Sequence, residues 1–201
     1  MLLTSEEIAL FWRWLLTRID ELRTPASSLW DEVLEGLQKI DENLRFEISD
    51  EHGGSRELIV TAEGNAGSFD AADAVVSAAP EIKGWKVVSL KPARGFQFQI
   101  DYEGLHLDPR DLWFLPLSSA EHPAAIGIRV GVPGLTRRQQ RATENAVLMI
   151  LDTGLGERSA ALDLQHVEVT RLPATPAEKG FRRLPELPAY ISERRGRKNL
   201  Q

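Results

Sequence analysis

One order of apolar patterns occurs twice in the chain, and it restricts the fold more than any other feature. From residue 44, "LRFEISD" alternates Leu44, Phe46 and Ile48 with Arg45, Glu47 and Ser49. That period of two marks a strand with one covered face. "EHGGS" (51–55) is a glycine-rich hairpin loop and "RELIVTA" (56–62) the return strand. A helical pattern runs from about Phe69 to Ala79 and stops at Pro80; "GWKVVSL" (84–90) is the next strand. The same order returns with "DLWFLPL" (111–117), "AIGIRVGV" (125–132), a helix from Thr136 to about Asp152 ending before Gly154, and "HVEVTRL" (166–172). The halves share no residue-level identity, so the repeat is one of topology. Between them "FQFQIDY" (96–102) alternates Phe96, Phe98, Ile100 and Tyr102 with Gln97, Gln99 and Asp101, as an antiparallel strand with one wet face does. The expected fold is α+β, a largely antiparallel sheet from two β-β-α-β units with helices on one side.

A helical pair precedes this core. Thr4 and Glu7 have capping-box spacing, and Ile8, Trp12, Leu15, Ile19 and Leu22 form one apolar face over residues 4–23. Thr24-Pro25 starts a second helix, with Ala26, Trp30, Val33, Leu37 and Ile40 facing inward. The short connection makes the two antiparallel neighbours. Residues 173–201 carry five prolines or glycines before Ile191 and then a run of charge, the composition of an extended arm. The expected divisions are a helical pair (1–43), an α+β domain of two halves (44–172) and an arm (173–201).

Composition narrows the chemistry. The chain has no cysteine, which excludes disulfides, thiolate metal sites and cysteine nucleophiles and suits a reducing cytoplasm. "MLLTSEEIALFWRWLL" lacks the basic start and the small-residue cleavage site of a secretory signal, and Arg13 interrupts its apolar run. No apolar stretch reaches the ~20 residues of a spanning helix. A soluble cytoplasmic protein with no membrane partner is expected. The net charge of −6 divides into −10 over residues 1–172 and +4 over 173–201. An acidic body argues against nucleic acid as partner, because phosphate binding is driven by Lys and Arg.

No complete catalytic signature is present. Gly64-Asn65-Ala66-Gly67-Ser68 sits between a strand and a helix, where a phosphate cradle would sit. It has no lysine after its second glycine, and Glu63 and Asp70 flank it with the charge of the anion itself. Ser68 is accounted for as a helix N-cap. Asp50, His52 and Ser55 lie together in one hairpin loop, but a Ser-His-Asp triad is defined by spatial geometry, and no G-x-S-x-G accompanies them. "HLDPRD" places His106 and Asp108 on one face of a strand, with Asp111 following. Those three residues are the candidates for a metal-assisted hydrolase of unknown substrate. His166 reads as a tucked or edge histidine. Phe96, Phe98 and Tyr102 could line a small-molecule pocket, although their clean alternation fits core packing better. No catalytic residue, metal ligand or cofactor is assigned.

The tryptophans carry more information. Trp12 and Trp30 belong to inner helix faces, and Trp85 opens a strand. Trp14 lies about 200° around the helix from Trp12, at ~100° per residue. With Leu3 and Leu10 it makes a second, outer apolar stripe. Such a stripe needs a cover, from this chain, another protein or a second copy.

"LIVTAEGN", "AAPEIKGWKVVSLKPARGF", "LDTGLGERSAALDLQHVEV" and "FRRLPELPAYI" resemble a group of uncharacterised bacterial proteins with T-A-E/D-G-N, A-A-P and G-W-x-V motifs. The resemblance covers roughly residues 44–191 and implies no known activity, substrate or catalytic residue. The sequence therefore points to a non-enzymatic protein-binding or regulatory protein, inhibitor- or immunity-like. Its contact surface would be Leu3, Leu10 and Trp14, and its partner another protein or itself, with no nucleic acid and no membrane.

Overall fold

Residues 5–24, 27–123 and 125–198 are described by a computed structural model of the chain. They form two compact units that divide between residues 92 and 93. The fold is α+β, and it begins with the helical pair.

In the first unit α1 (Ser5–Leu16) and α2 (Leu29–Ile40) precede β1 (Arg45–Ile48), β2 (Arg56–Thr61), α3 (Phe69–Ser77) and β3 (Trp85–Ser89). β1 pairs antiparallel with β2, Phe46 opposite Val60. β2 pairs parallel with β3, Ile59 opposite Val88, and α3 makes the crossover. All five residues of the first apolar face, Ile8, Trp12, Leu15, Ile19 and Leu22, are buried. Trp12 also donates its indole N–H to the carbonyl of Val75 at 2.8 Å. Val75 stands in the last turn of α3, where carbonyls lack a helical partner, so the bond fixes α1 and satisfies an orphan acceptor together. The helix expected over 4–23 is shorter than that pattern. It ends at Leu16, and Ile19–Arg23 continues as a 3-10 turn. Tertiary contacts hold this turn: Arg23 donates to the Gly84 carbonyl (3.3 Å) and lies over the Trp85 ring. Thr4, Pro25 and Ala26, which carried the two expected helix starts, lie outside the described residues.

The second unit opens with a two-stranded hairpin, β4 (Ile100–Tyr102) and β5 (Leu105–Leu107). There follow β6 (Trp113–Leu117), β7 (Ile126–Val132), α4 (Gln140–Leu155), α5 (Glu157–Asp163), β8 (Leu164–Arg171), β9 (Arg182–Arg183) and α6 (Leu187–Lys198). The sheet order is β8-β7-β6-β9. β6 and β7 are antiparallel, and β7 and β8 parallel across α4 and α5. Thus both β-β-α-β patterns form, each as its own mixed sheet, an antiparallel hairpin followed by a parallel crossover. β7 lies between two strands and reads as an almost unbroken apolar run, as a strand covered on both faces does.

Three expectations fail here for physical reasons. Only residues 100–102 of the 96–102 run pair as a strand; Phe96 leaves it for the core, where it is 4% exposed. α4 does not stop before Gly154 but passes through it, and Gly156, at φ +79°, ends the helix. Gly154 is where the Phe96 ring lies: a Cβ there would come within 2.2 Å of it. The amides of Arg94 and Gly95 meanwhile donate to the carbonyls of Thr153 and Gly154, at 2.9 and 3.2 Å, and satisfy the end of α4. The C-terminal segment is not an extended arm. Leu184, Leu187 and Ile191 are buried in the core, and Tyr190 packs on Phe114 with ring centroids 5.6 Å apart. Pro185 and Pro188 stand in the first turns of their helices, where a missing N–H costs nothing, so they start helices instead of breaking them.

Gly154→Ala should lower stability in urea titration by about 1–2 kcal/mol. Overpacking against Phe96 costs about 2–3 kcal/mol, more than the ~1 kcal/mol gained in helix propensity. Unchanged or raised stability would show that the ring does not need this gap.

Candidate protein-contact groove

The sequence of α1 makes it apolar in more than one direction. Ile8, Phe11, Trp12 and Leu15 are buried, whereas Leu10 is 52% exposed and Trp14 half-buried. Phe11 was not among the expected inner-face residues. Its position depends on Gly36, in the middle of α2, where a Cβ would lie 2.9 Å from the Phe11 ring. A mid-helix glycine costs about 1 kcal/mol against alanine, and here it admits a ring. Phe11 meets Trp12 edge-on at 5.3 Å between centroids and Trp14 at 6.1 Å. The signal available in the sequence was that glycine, inside an otherwise helical pattern.

Between α1 and α2 this packing leaves a groove of about 440 Å³, in which Leu10, Phe11 and Trp14 meet Gly36 and Ile40. Two of the three expected contact residues, Leu10 and Trp14, thus line one depression. Leu3 lies outside the described residues. The groove also carries three carboxylates, Glu7, Glu32 and Glu35, against one ammonium, Lys39. Glu32 accepts from Arg18 at 2.6 Å, and Arg18 is also bonded to Glu21. Glu21 and Glu32 hold the Arg18 proton more firmly than usual, and the Arg18 guanidinium in turn draws the Glu21 carboxyl below its ordinary range. The first unit as a whole has seventeen acidic and nine basic side chains, a net charge of −8.

The other candidates do not converge in this way. His106, Asp108 and Asp111 do line one depression of about 390 Å³, with Trp113 and Arg183, but His106 and Asp108 are each turned to a separate partner. His106 pairs with Asp101 across the β4–β5 hairpin at 2.9 Å. Asp108 accepts the Arg110 amide at 2.9 Å, opening the 3-10 turn Pro109–Asp111, and also binds the Arg110 guanidinium and Gln99. Arg110 holds the Asp108 carboxyl far below the usual carboxylate range. Among the described residues no three His, Asp or Glu side chains come together as a metal-holding group.

In the 50–55 hairpin His52 and Ser55 exchange backbone hydrogen bonds, and the His52 ring faces the carbonyl of Asp50, so no triad forms. His166 is exposed on the edge strand β8 and pairs with Glu168, which also binds Arg129. In the glycine loop before α3, Asn65 accepts the Gly67 amide at 3.2 Å. Ser68 does stand at the N-cap position of α3, but its side chain caps nothing: the buried hydroxyl donates to Asp41 and accepts from Asn43. The loop does stand in a parallel β-α-β crossover, but the Gly67 amide and the Ser68 hydroxyl are engaged, and Asp41 brings a carboxylate to the place an anion would take. Among the described residues no helix is long and apolar enough to cross a membrane.

Comparison with known proteins gave no match: no family model, no curated protein and no solved structure matches the chain.

Asp108 gives the second unit a defined acid response. A carboxyl with a lowered native pKa stabilises the fold above its unfolded value, about 3.9, and loses that contribution as pH falls toward the native value. Urea midpoints should therefore fall below about pH 4, and Asp108→Asn should flatten that decline while sitting lower at neutral pH. An equally steep acid limb in the variant would show that the Asp108–Arg110 pairing contributes nothing to it.

Proposed function

We propose that the chain is a protein-binding, regulatory protein of the inhibitor- or immunity-like kind, and that it acts by surface contact through the α1–α2 groove. One observation carries this reading: Leu10, 52% exposed, and Trp14 open onto the same groove instead of being covered by the described residues of the first unit. A single exposed leucine is ordinary. Here a leucine and a tryptophan border one concave surface, and aromatic anchors in pockets are the usual carriers of interface energy. The charge supports it as well, since an acidic rim speeds encounter with a basic target and repels acidic ones. A cytoplasmic setting agrees with the absence of cysteine. Catalysis by His106, Asp108 and Asp111 has no comparable support, because His106 and Asp108 are engaged with separate partners and the three form no metal-holding group among the described residues.

The test is affinity purification of the full-length tagged chain from its native host, with quantitative mass spectrometry. A defined partner should be depleted about tenfold or more by Leu10→Asp, the loss of one buried anchor. It should be kept by Leu148→Asp, a change at an exposed leucine of the second unit. Both variants should keep the parent's thermal midpoint. The same partners in the same amounts with Leu10→Asp would refute the reading.

A further inference from the structure

We infer that the occupant of the α1–α2 groove is a basic amphipathic helix of another protein, with an apolar ridge seated between Leu10 and Trp14 and Lys or Arg on both flanks. This rests on the proposed binding role of the groove and adds the chemistry of what it holds. Three features lead to it. The depression lies between two helices whose close approach at Phe11 and Gly36 fixes its floor. A cleft between two helices is filled by the ridge of a third, read as apolar anchors at i, i+3 or i+4, and i+7. Its apolar wall is Leu10, Phe11 and Trp14, which suits such a ridge.

The groove's charge disfavours other occupants. Glu7, Glu32 and Glu35 outnumber the cations beside them, Lys39 in the groove and Arg18 on Glu32, and they belong to a unit of net charge −8. An acidic helix, a nucleic-acid backbone or an anionic lipid surface would meet more like charge than opposite charge there. A second copy of this chain meets the same obstacle. A two-fold contact sets one patch on itself, and would press the three glutamates of one groove onto those of the other. Lys and Arg flanks have the opposite sign, and their long stems cover apolar surface while their charges reach the rim.

A phage-displayed library of helical peptides of about 16 residues, long enough to hold a helix, panned against the full chain, tests this directly. The recovered peptides should carry a net positive charge beside an i, i+4 apolar pair. Their affinity should fall about tenfold with Leu10→Gln, which removes the apolar anchor without adding charge. It should fall about fivefold with Glu35→Lys at low ionic strength and much less in ~0.5 M salt, where rim charges are screened. Neutral or acidic binders that still depend on Leu10 would overturn the basic-helix inference and leave the groove as a contact surface. Binders indifferent to Leu10→Gln, or no binders at all, would overturn both.

Discussion

In each unit a phenylalanine ring occupies the place where a helical residue would carry its Cβ. Phe11 lies on Gly36 of α2, and Phe96 on Gly154 of α4. Each contact brings its helix closer to a neighbouring segment than any side chain would allow. In the second unit this seats residues 94–96 along the last turn of α4, where two amides take up two helix-end carbonyls. In the first it fixes the spacing of α1 and α2, and with it the floor of the groove. Helix propensity is given up at both glycines, and close packing repays it with dense contact.

The groove follows from that spacing. α1 carries more apolar surface than the described residues of its unit cover. Its inner residues, from Ile8 to Leu15, are consumed by the core, and the Trp12–Val75 hydrogen bond fixes the helix's rotation. Leu10 and Trp14 are then turned toward α2 and solvent. The carboxylates of both helices line the same depression, so an apolar strip acquires an acidic border. Ion pairs in the second unit serve the fold: Asp108 with Arg110 closes one turn, Glu168 of β8 binds His166 on its own strand and Arg129 of β7, and Asp163 of α5 binds Arg195 of α6.

Much of this was legible in the sequence. Period-two alternation and hairpin turns located β1, β2, β6 and β7, and the five apolar positions from Ile8 to Leu22 are all buried. Leu10 and Trp14 stood out because they break the helix's polar face. What escaped was set by tertiary contact. Gly154 has the local chemistry of a helix stop, and only the distant Phe96 ring explains why the helix continues through it. Pro185 and Pro188 look like breakers until buried Leu187 and Ile191 show a helix starting there. Ser68 has the identity of an N-cap, yet Asp41, far back in the chain, takes its hydroxyl. Phe11 was missed because its partner is the absence of a side chain.

Amide hydrogen exchange on the full chain, free and saturated with a basic helical peptide recovered by panning, reads the contact surface directly. Added protection should be confined to the groove-facing stretches of α1 and α2, residues 7–14 and 32–40, with the second unit unchanged. Protection centred instead on residues 106–113 of the second unit, or spread evenly through both units, would contradict the assignment of the α1–α2 groove as the working surface of this protein.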